Sequence, residues 1–459
     1  MSEQRATPLA KGWRMARVGD ILKVRNGYAF KSTEYKPHGV PLIRQSDLGD
    51  DVVDVDAAKR VDPRLLDDLP GFVVRDGDLL IGMSGSLGKI ARYQHVEPAL
   101  QNQRTGLLLV KPEYDKKFAK LVLKFVEPQI LAEGKGVAVQ NVSAKEIEDC
   151  TFPLPSFTEQ REIVAEIEKQ FTRLDAGIAA LRRVQAHLKR YHAAVLKAAC
   201  EARLVPTEAE LAKAENRKFE TGEKLLARIL EERRKSWEGR GKYKEPIAPD
   251  TYDSVPAGWT LATVGQLAAP EANSITDGPF GSNLKTEHYT ATGPRVIRLQ
   301  NIGDGVFIDE YAHISEEHFS RLQKHRVFAG DVVIASLGEN PPRCCVIPEL
   351  LGLAIVKADC IRFKPHSLVL SKFINIALNS DPVRRRTKKI VHGVGRPRLN
   401  LGEIKSIALP VPPLAEQTRI VAEVERRLSV VEELETFVTV NLQRAARLRQ
   451  SILASAFSD

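Results

Sequence analysis

Cysteine is scarce in this chain of 459 residues, and the five present (Cys150, Cys200, Cys344, Cys345 and Cys360) form neither a CxxC pair nor an even framework. That excludes a disulfide-stapled secreted scaffold and suits a reducing compartment. Long apolar runs are also missing: none approaches the roughly 18 residues of a membrane span. The opening MSEQRATPLAKGW lacks the basic-then-apolar layout of a secretion signal. The expectation is a cytoplasmic protein that uses no membrane.

Catalytic signatures are absent too. GMSGSLGKI has five residues between Gly82 and Gly88-Lys89, where a phosphate loop needs four, and Ile90 stands where the magnesium-holding Ser or Thr belongs. Asn340-Pro341-Pro342-Arg343 resembles the tetrapeptide of amino-methyltransferases, but Arg343 replaces the stacking aromatic and no glycine-rich site for the methyl donor is found. His313 and His318 are five apart, on different faces of a helix, and neither HExxH nor Gly-x-Ser-x-Gly occurs. Glu403-Ile404-Lys405 mimics part of a nuclease signature, yet Glu146-Ile147-Glu148, its counterpart, loses the lysine. The expectation is a non-enzyme with no metal or cofactor of its own.

What is present is a repeat. PLPSFTEQREIVAEIE at 153–168 returns as PVPPLAEQTRIVAEVE at 410–425, an offset of 257. Upstream, GDLLI from Gly77 answers GDVVI from Gly330, VPLIRQSDLGD answers RVIRLQNIGDG around Arg44 and Arg298, and GWRMARVGDI from Gly12 answers GWTLATVGQL from Gly258. The order holds while the offsets drift, as in two diverged tandem copies.

Each half reads as a mixed sheet domain of short apolar, β-branched runs between Gly, Asp and Asn turns. A Pro-rich exit then leads into a long helix free of internal proline, each on the order of 65 Å at about 1.5 Å per residue. In the first helix Ile163, Ile167, Phe171, Leu174, Leu181 and Leu188 form a narrow apolar seam; in the second Ile420, Val424, Leu428, Val431, Leu448 and Ile452 do so. Glu435 faces the position of Ile178, with Leu434 and Phe437 nearby as substitutes. A seam of that length needs a partner helix, and connectivity favours antiparallel pairing of the two copies. Between the halves lies a charged stretch, helix-favouring at first and irregular from Glu238, read as a linker with a solvated face. The expected domains are 1–155, helix 156–204, linker 205–255, 256–412 and helix 413–459.

The balance of 68 basic against 59 acidic residues, net +9, hints at nucleic acid. RRRTKKIVHGVGRPR carries Arg384, Arg385, Arg386, Lys388, Lys389, Arg396 and Arg398 with no acid between them, a density suited to phosphate. Its HGVGRPR part reads as a loop that brings arginines to base edges. Further candidates beside turns are Arg44, Gln45, Lys89, Gln101, Asn102, Arg104, Lys135 and Gln140 in the first half, and Arg298, Gln300 and Arg343 in the second.

The Gly-Trp start, the Ile-Arg stretch, GDxxI, LNLGEIKSIALPVPPLAEQ and the long helix that follows, all twice over, resemble the specificity subunit of a type I restriction–modification system from about residue 12 to 459. The first copy departs with VQNVSAKEIEDC and with Ser156-Phe157 for Pro-Leu. The resemblance implies an α/β protein: two mixed α/β target-recognition domains separated by two long antiparallel helices, a coiled-coil spacer with pseudo-two-fold symmetry. It implies double-stranded DNA as ligand, each domain reading half of an interrupted target. Two methyltransferase subunits and restriction subunits would be partners, and these would carry S-adenosylmethionine, ATP and magnesium. Two other classes stay open. Binding of S-adenosylmethionine by the isolated chain would favour a self-contained methyltransferase. DNA binding that ignores salt would favour a coiled-coil scaffold.

Overall fold

The prolines that close each repeat decide where the long helices begin. In the computed structural model, which describes residues 9, 11–85, 87–135, 140–238, 241–250, 255–338, 341–349, 352–393 and 395–457, strand Thr151–Leu154 ends at Pro155 and helix Phe157–Cys200 follows. Strand Ala408–Val411 likewise yields to helix Leu414–Ala456. The repeated Glu-Gln pair explains itself here. Gln160 Nε2 donates to Pro155 O and Gln417 Nε2 to Pro412 O, each at 3.0 Å, which satisfies a carbonyl that the turn would otherwise strand. Glu159 accepts from the indole N–H of Trp13 at 3.2 Å, and Glu416 from that of Trp259 at 2.9 Å. The Gly-Trp start and the Pro-Glu-Gln exit are thus two ends of one latch, made twice.

The chain divides into two units, Met1–Arg182 with Thr439–Asp459 and Arg183–Val438. In the first, an antiparallel sheet orders Leu22–Asn26, Thr105–Val110, Leu79–Gly82 and Ile90–Arg92. A second sheet orders Lys59–Val61, Val40–Ile43, Ala99–Gln101 and Val73–Val74, with its central pair parallel. Arg14–Arg17 pairs with Thr151–Leu154. The second unit repeats this plan: Ile275–Thr276, Cys360–Phe363, Val332–Ala335 and Arg343–Val346; then His313–Ile314, Tyr289–Ile297, Ala354–Val356 and Arg326–Val327, again with a parallel central pair; and Thr260–Thr263 with Ala408–Val411. The GDxxI strands are apolar throughout because both their faces are covered. Leu79 and Ile81 join the core beneath the helices, while Leu80 faces the other sheet. Val332 and Ile334, against Val333 and Ala335, divide in the same way. The Gly-Asp that precedes them is a turn: Gly77 and Gly330 share φ +82°, and Asp78 and Asp331 accept the backbone N–H of Arg75 and Phe328.

Within the first unit the start of one long helix packs on the end of the other, Val164 and Ile167 against Leu453 and Phe457. Within the second, Ile420, Val421 and Val424 pack on Val195, Leu196 and Ala199. The pairing in each unit is antiparallel, as connectivity suggested. Ile167, Leu188, Ile420, Val424 and Val431 are buried; Ile163, Phe171, Leu174, Leu181, Leu428 and Ile452 are half-buried. Leu448 is not a seam residue: it is 50% exposed, because Ala445, Leu453 and Phe457 turn inward instead. Leu434 and Phe437 do not substitute for Ile178 either, and both are exposed. Arg449 lies over the Phe171 ring and pairs with Asp175, so a charged stem covers part of the seam.

The stretch read as a solvated linker is largely a packed part of the second unit. Helices Glu208–Ala214 and Gly222–Lys235 form within it. Leu225 and Ile229 enter the core, and Arg233, one more step of four along the helix, is buried and donates to the carbonyls of Gly265 and Gln266. The long apolar stem of Arg233 extends the stripe, which a charge count hides.

Two equivalent glycines show how tightly the halves match. A Cβ on Gly27 would lie 2.2 Å from Asn102 O, and one on Gly278 would lie 2.0 Å from the carbonyl carbon of Lys357. Backbone cannot yield there, so Gly27→Ala and Gly278→Ala are each expected to cost about 1–3 kcal/mol in denaturant unfolding. A loss below a few tenths would mean these crossings are loose.

Candidate nucleic-acid interface

Both copies of the Ile-Arg motif enter a tight turn in which the arginine is tied down. Arg44 N donates to Asp47 at 2.9 Å, and the Arg44 guanidinium pairs with the same carboxylate at 3.0 Å. Asn301, fully buried, accepts from Arg298 N at 2.9 Å, and Arg298 Nη2 donates to Tyr311 O at 3.2 Å. The turn is structural first, since the Asp47 and Asn301 side chains replace backbone partners that the turn lacks.

Beside these turns each unit gathers three loops. In the first, Lys135 and Asn141 close a hairpin, Ser84 bridges to Asn141, and Gly85 N donates to Gln140 O at 2.8 Å. Gln45 borders Gly85, where an added Cβ would come within 3.0 Å of its Nε2. In the second, His392 and Arg398 close the matching hairpin, Leu337 bridges to Arg398, and Leu399 N donates to Ser336 O. Arg343 joins this group by donating to Leu299 O at 3.0 Å, and Gln300 pairs with Glu310 at 2.9 Å. Thus Gln45, Lys135 and Gln140 share one loop cluster, and Arg298, Arg343, Arg396 and Arg398 share the equivalent one. Lys135 is exposed and paired with Glu146; Arg396 is exposed; Arg398 pairs with Asp359 at 2.7 Å.

Other candidates lie elsewhere. Gln101 is fully buried, and its amide donates to the carbonyls of Arg25 and Thr105, a strand-to-strand tie rather than a free reading group. Asn102 is buried beside it and accepts from Arg104 N; the Arg104 side chain is exposed. Lys89 faces Asp50 at 3.6 Å. The basic run splits apart. Arg384 is mostly buried, held by Asp304, by Asn379 and by Pro342 O. Arg385 pairs with Asp381 in its own helix, Asp381–Thr387. Arg385, Arg386 and Lys389 line a cleft of about 730 Å³ with Cys200 and Glu201, at the C-terminal end of the first long helix. A helix C-terminus attracts cations without any external anion. Lys388 is exposed. Asn340 lies outside the described residues. Glu146 and Glu403 both close capping boxes, with Ser143 and Asn400.

A family model described as the type I restriction modification DNA specificity domain matches residues 10–183 and 347–435, more than half of the chain. The chain belongs to the type I restriction–modification specificity subunits. It is 27% identical over 449 residues to the EcoBI specificity subunit of Escherichia coli, covering 97% of this chain and 85% of that one. To the EcoDI specificity subunit of Escherichia coli it is 24% identical over 81% of this chain and 73% of the relative. A solved chain from work on complex assembly and conformational transition of the type I R-M system shares the fold, with a TM-score of 0.64 at 16% identity over 98% of both chains. In this specificity subunit one exposed aromatic escaped the sequence reading. Tyr311 is 68% exposed, carries Arg295 over its ring at 4.4 Å, and adjoins Arg298 through its carbonyl. An exposed ring beside arginines suits stacking on a base, but a lone tyrosine in the stretch IDEYAHI, residues 308–314, gives no sequence signal. No described helix is long and apolar enough to cross a membrane.

Proposed function

We propose that each mixed α/β domain of this specificity subunit reads one half of an interrupted double-stranded DNA target, with the two long helices setting the unread gap. The observation that carries this reading is the doubled loop cluster. The same hairpin, bridged to the end of the same strand, occurs in both units, while its side chains differ: Lys135 and Gln140 in one, Arg396 and Arg398 in the other. A shared scaffold with unlike side chains suits two half-sites of unlike sequence. The chain itself performs no chemistry in this reading. It aims adenine methylation by two methyltransferase subunits, which bind S-adenosylmethionine, and restriction by ATP- and magnesium-dependent subunits in the cytoplasm. A repeated helical exit offers two similar faces to two copies of one partner.

Exchanging residues 256–412 for the corresponding domain of another family member is expected to change one half of the methylated target and leave the other intact. Methylation-sensitive long-read sequencing of cells carrying the exchanged gene checks it. A change in both halves, or methylation indifferent to the gene, would defeat the modular reading.

A further inference from the structure

The two latches differ in what covers them. On the second unit, residues 204–235 lie across the Gly-Trp start: Glu208 N donates to Glu416 at 2.8 Å, and Arg419 pairs with Glu208 at 2.7 Å. A Cβ on Gly258 would meet Phe219 at 3.1 Å and Ala209 at 3.7 Å. Trp259 is consequently only 5% exposed. On the first unit no described residue covers the same place. Gly12 has nothing within 4 Å of its Cβ position, Trp13 is half-buried, and Met15 is 52% exposed. A groove of about 550 Å³ remains there, lined by Trp13, Ile163, Ile452 and Ala456 with Glu162 and Glu166.

The open latch is also self-sufficient. Ser156, where the second copy has Pro413, gives both its N–H and its hydroxyl to Glu159, at 2.9 and 2.6 Å. Glu159 therefore carries no unmet bond while the groove is empty, as a surface that stands open in water requires. One charge is reversed: Glu162 occupies the place of Arg419, is exposed, and has no ion pair among the described residues.

We propose that this groove of the first unit is a docking site for a basic helical segment of a separate protein, seated as residues 204–235 are seated on the second unit. The chain's own segment is already engaged there, so it does not supply the occupant. Where that segment presents Glu208 to Arg419, the incoming helix presents Lys or Arg to Glu162. Because the equivalent groove of the second unit is filled, the site is single. It therefore stands apart from any two-copy partner that binds features common to both units.

The test uses the full-length chain and synthetic peptides of residues 201–235, one native and one bearing Glu208→Lys, with binding followed by fluorescence anisotropy. Hydroxyl-radical footprinting of Trp13 and Met15 locates the site. The Glu208→Lys peptide is expected to protect Trp13 and Met15 and to bind about fivefold tighter than the native peptide, the size of a partly exposed ion pair. Glu162→Arg in the protein is expected to invert that preference, and since Glu162 is exposed the variant keeps its fold. Failure of both peptides to protect Trp13, or affinities indifferent to the charge at Glu162, would overturn the proposal.

Discussion

Replacing Arg362 by Ala is expected to destabilise the second unit by about 3–5 kcal/mol, the cost of stranding a buried charge. The Asp331 and Arg362 side chains are 3% and 9% exposed and meet at 2.6 Å, Nε to Oδ2. The same carboxylate holds the turn that launches the GDxxI strand, and Arg362 lies over the Phe328 ring at 5.0 Å. In the first copy, Asp78 is more exposed and has Lys116 at 3.9 Å, while Leu107 fills the position of Arg362 in the paired strands. The fold thus accepts an apolar residue there, but only where the aspartate reaches water. Arg362→Leu combined with Asp331→Asn should recover much of the loss, because a buried pair replaced as a whole costs little. Burial already pushes the Asp331 carboxyl above its ordinary value despite Arg362, and loss of the arginine pushes it further. A group whose folded pKa is raised stabilises the protein below its unfolded pKa, and that contribution is lost as pH rises through the folded pKa. The Arg362→Ala deficit should therefore be greatest near neutrality and shrink toward pH 4. Urea unfolding across that range, with hydrogen exchange to assign the unit, decides it. A deficit below about 1 kcal/mol, or one constant with pH, would show the pair is not the anchor described.

Much of the architecture was legible because the features that encode it are local and doubled. The Pro-Glu-Gln exits marked the starts of both long helices, and the repeat order matched strand for strand. Periodicity failed where side chains are ambivalent. Leu448 reads as core by spacing, yet Arg449 and Ala445 do the covering; Arg233 reads as solvent-facing, yet its stem and fork serve the second core. The candidate site was less legible for a related reason. Gln101 and Arg384 belong to residue types that match bases and phosphates, but here they satisfy buried carbonyls and carboxylates of the protein itself. Only the partners, distant in sequence, distinguish these roles. Asp304 lies eighty residues before Arg384.

That distinction yields a separable prediction for the basic run. Of its cations, Arg384, Arg385 and Arg398 are engaged by Asp304, Asp381 and Asp359, whereas Lys388, Lys389 and Arg396 are exposed and form no ion pair among the described residues. If the exposed three neutralise phosphates, replacing them together by Ala should lower the slope of log K against log salt by about 2.7 and weaken binding on the order of a hundredfold near 0.15 M salt. The loss should be alike on target and unrelated duplexes, since phosphate contacts carry no sequence information. Arg384→Ala should behave oppositely. It leaves Asp304 and Asn379 without their shared donor, so the first change is in the unfolding midpoint of the second unit, with the salt slope kept. Anisotropy of a labelled duplex with the assembled complex, over a salt series, separates the two. An unchanged slope in the triple variant would remove these residues from the phosphate contacts and leave the hairpin loops, with Arg298, Arg343 and Tyr311, as the surface that meets DNA.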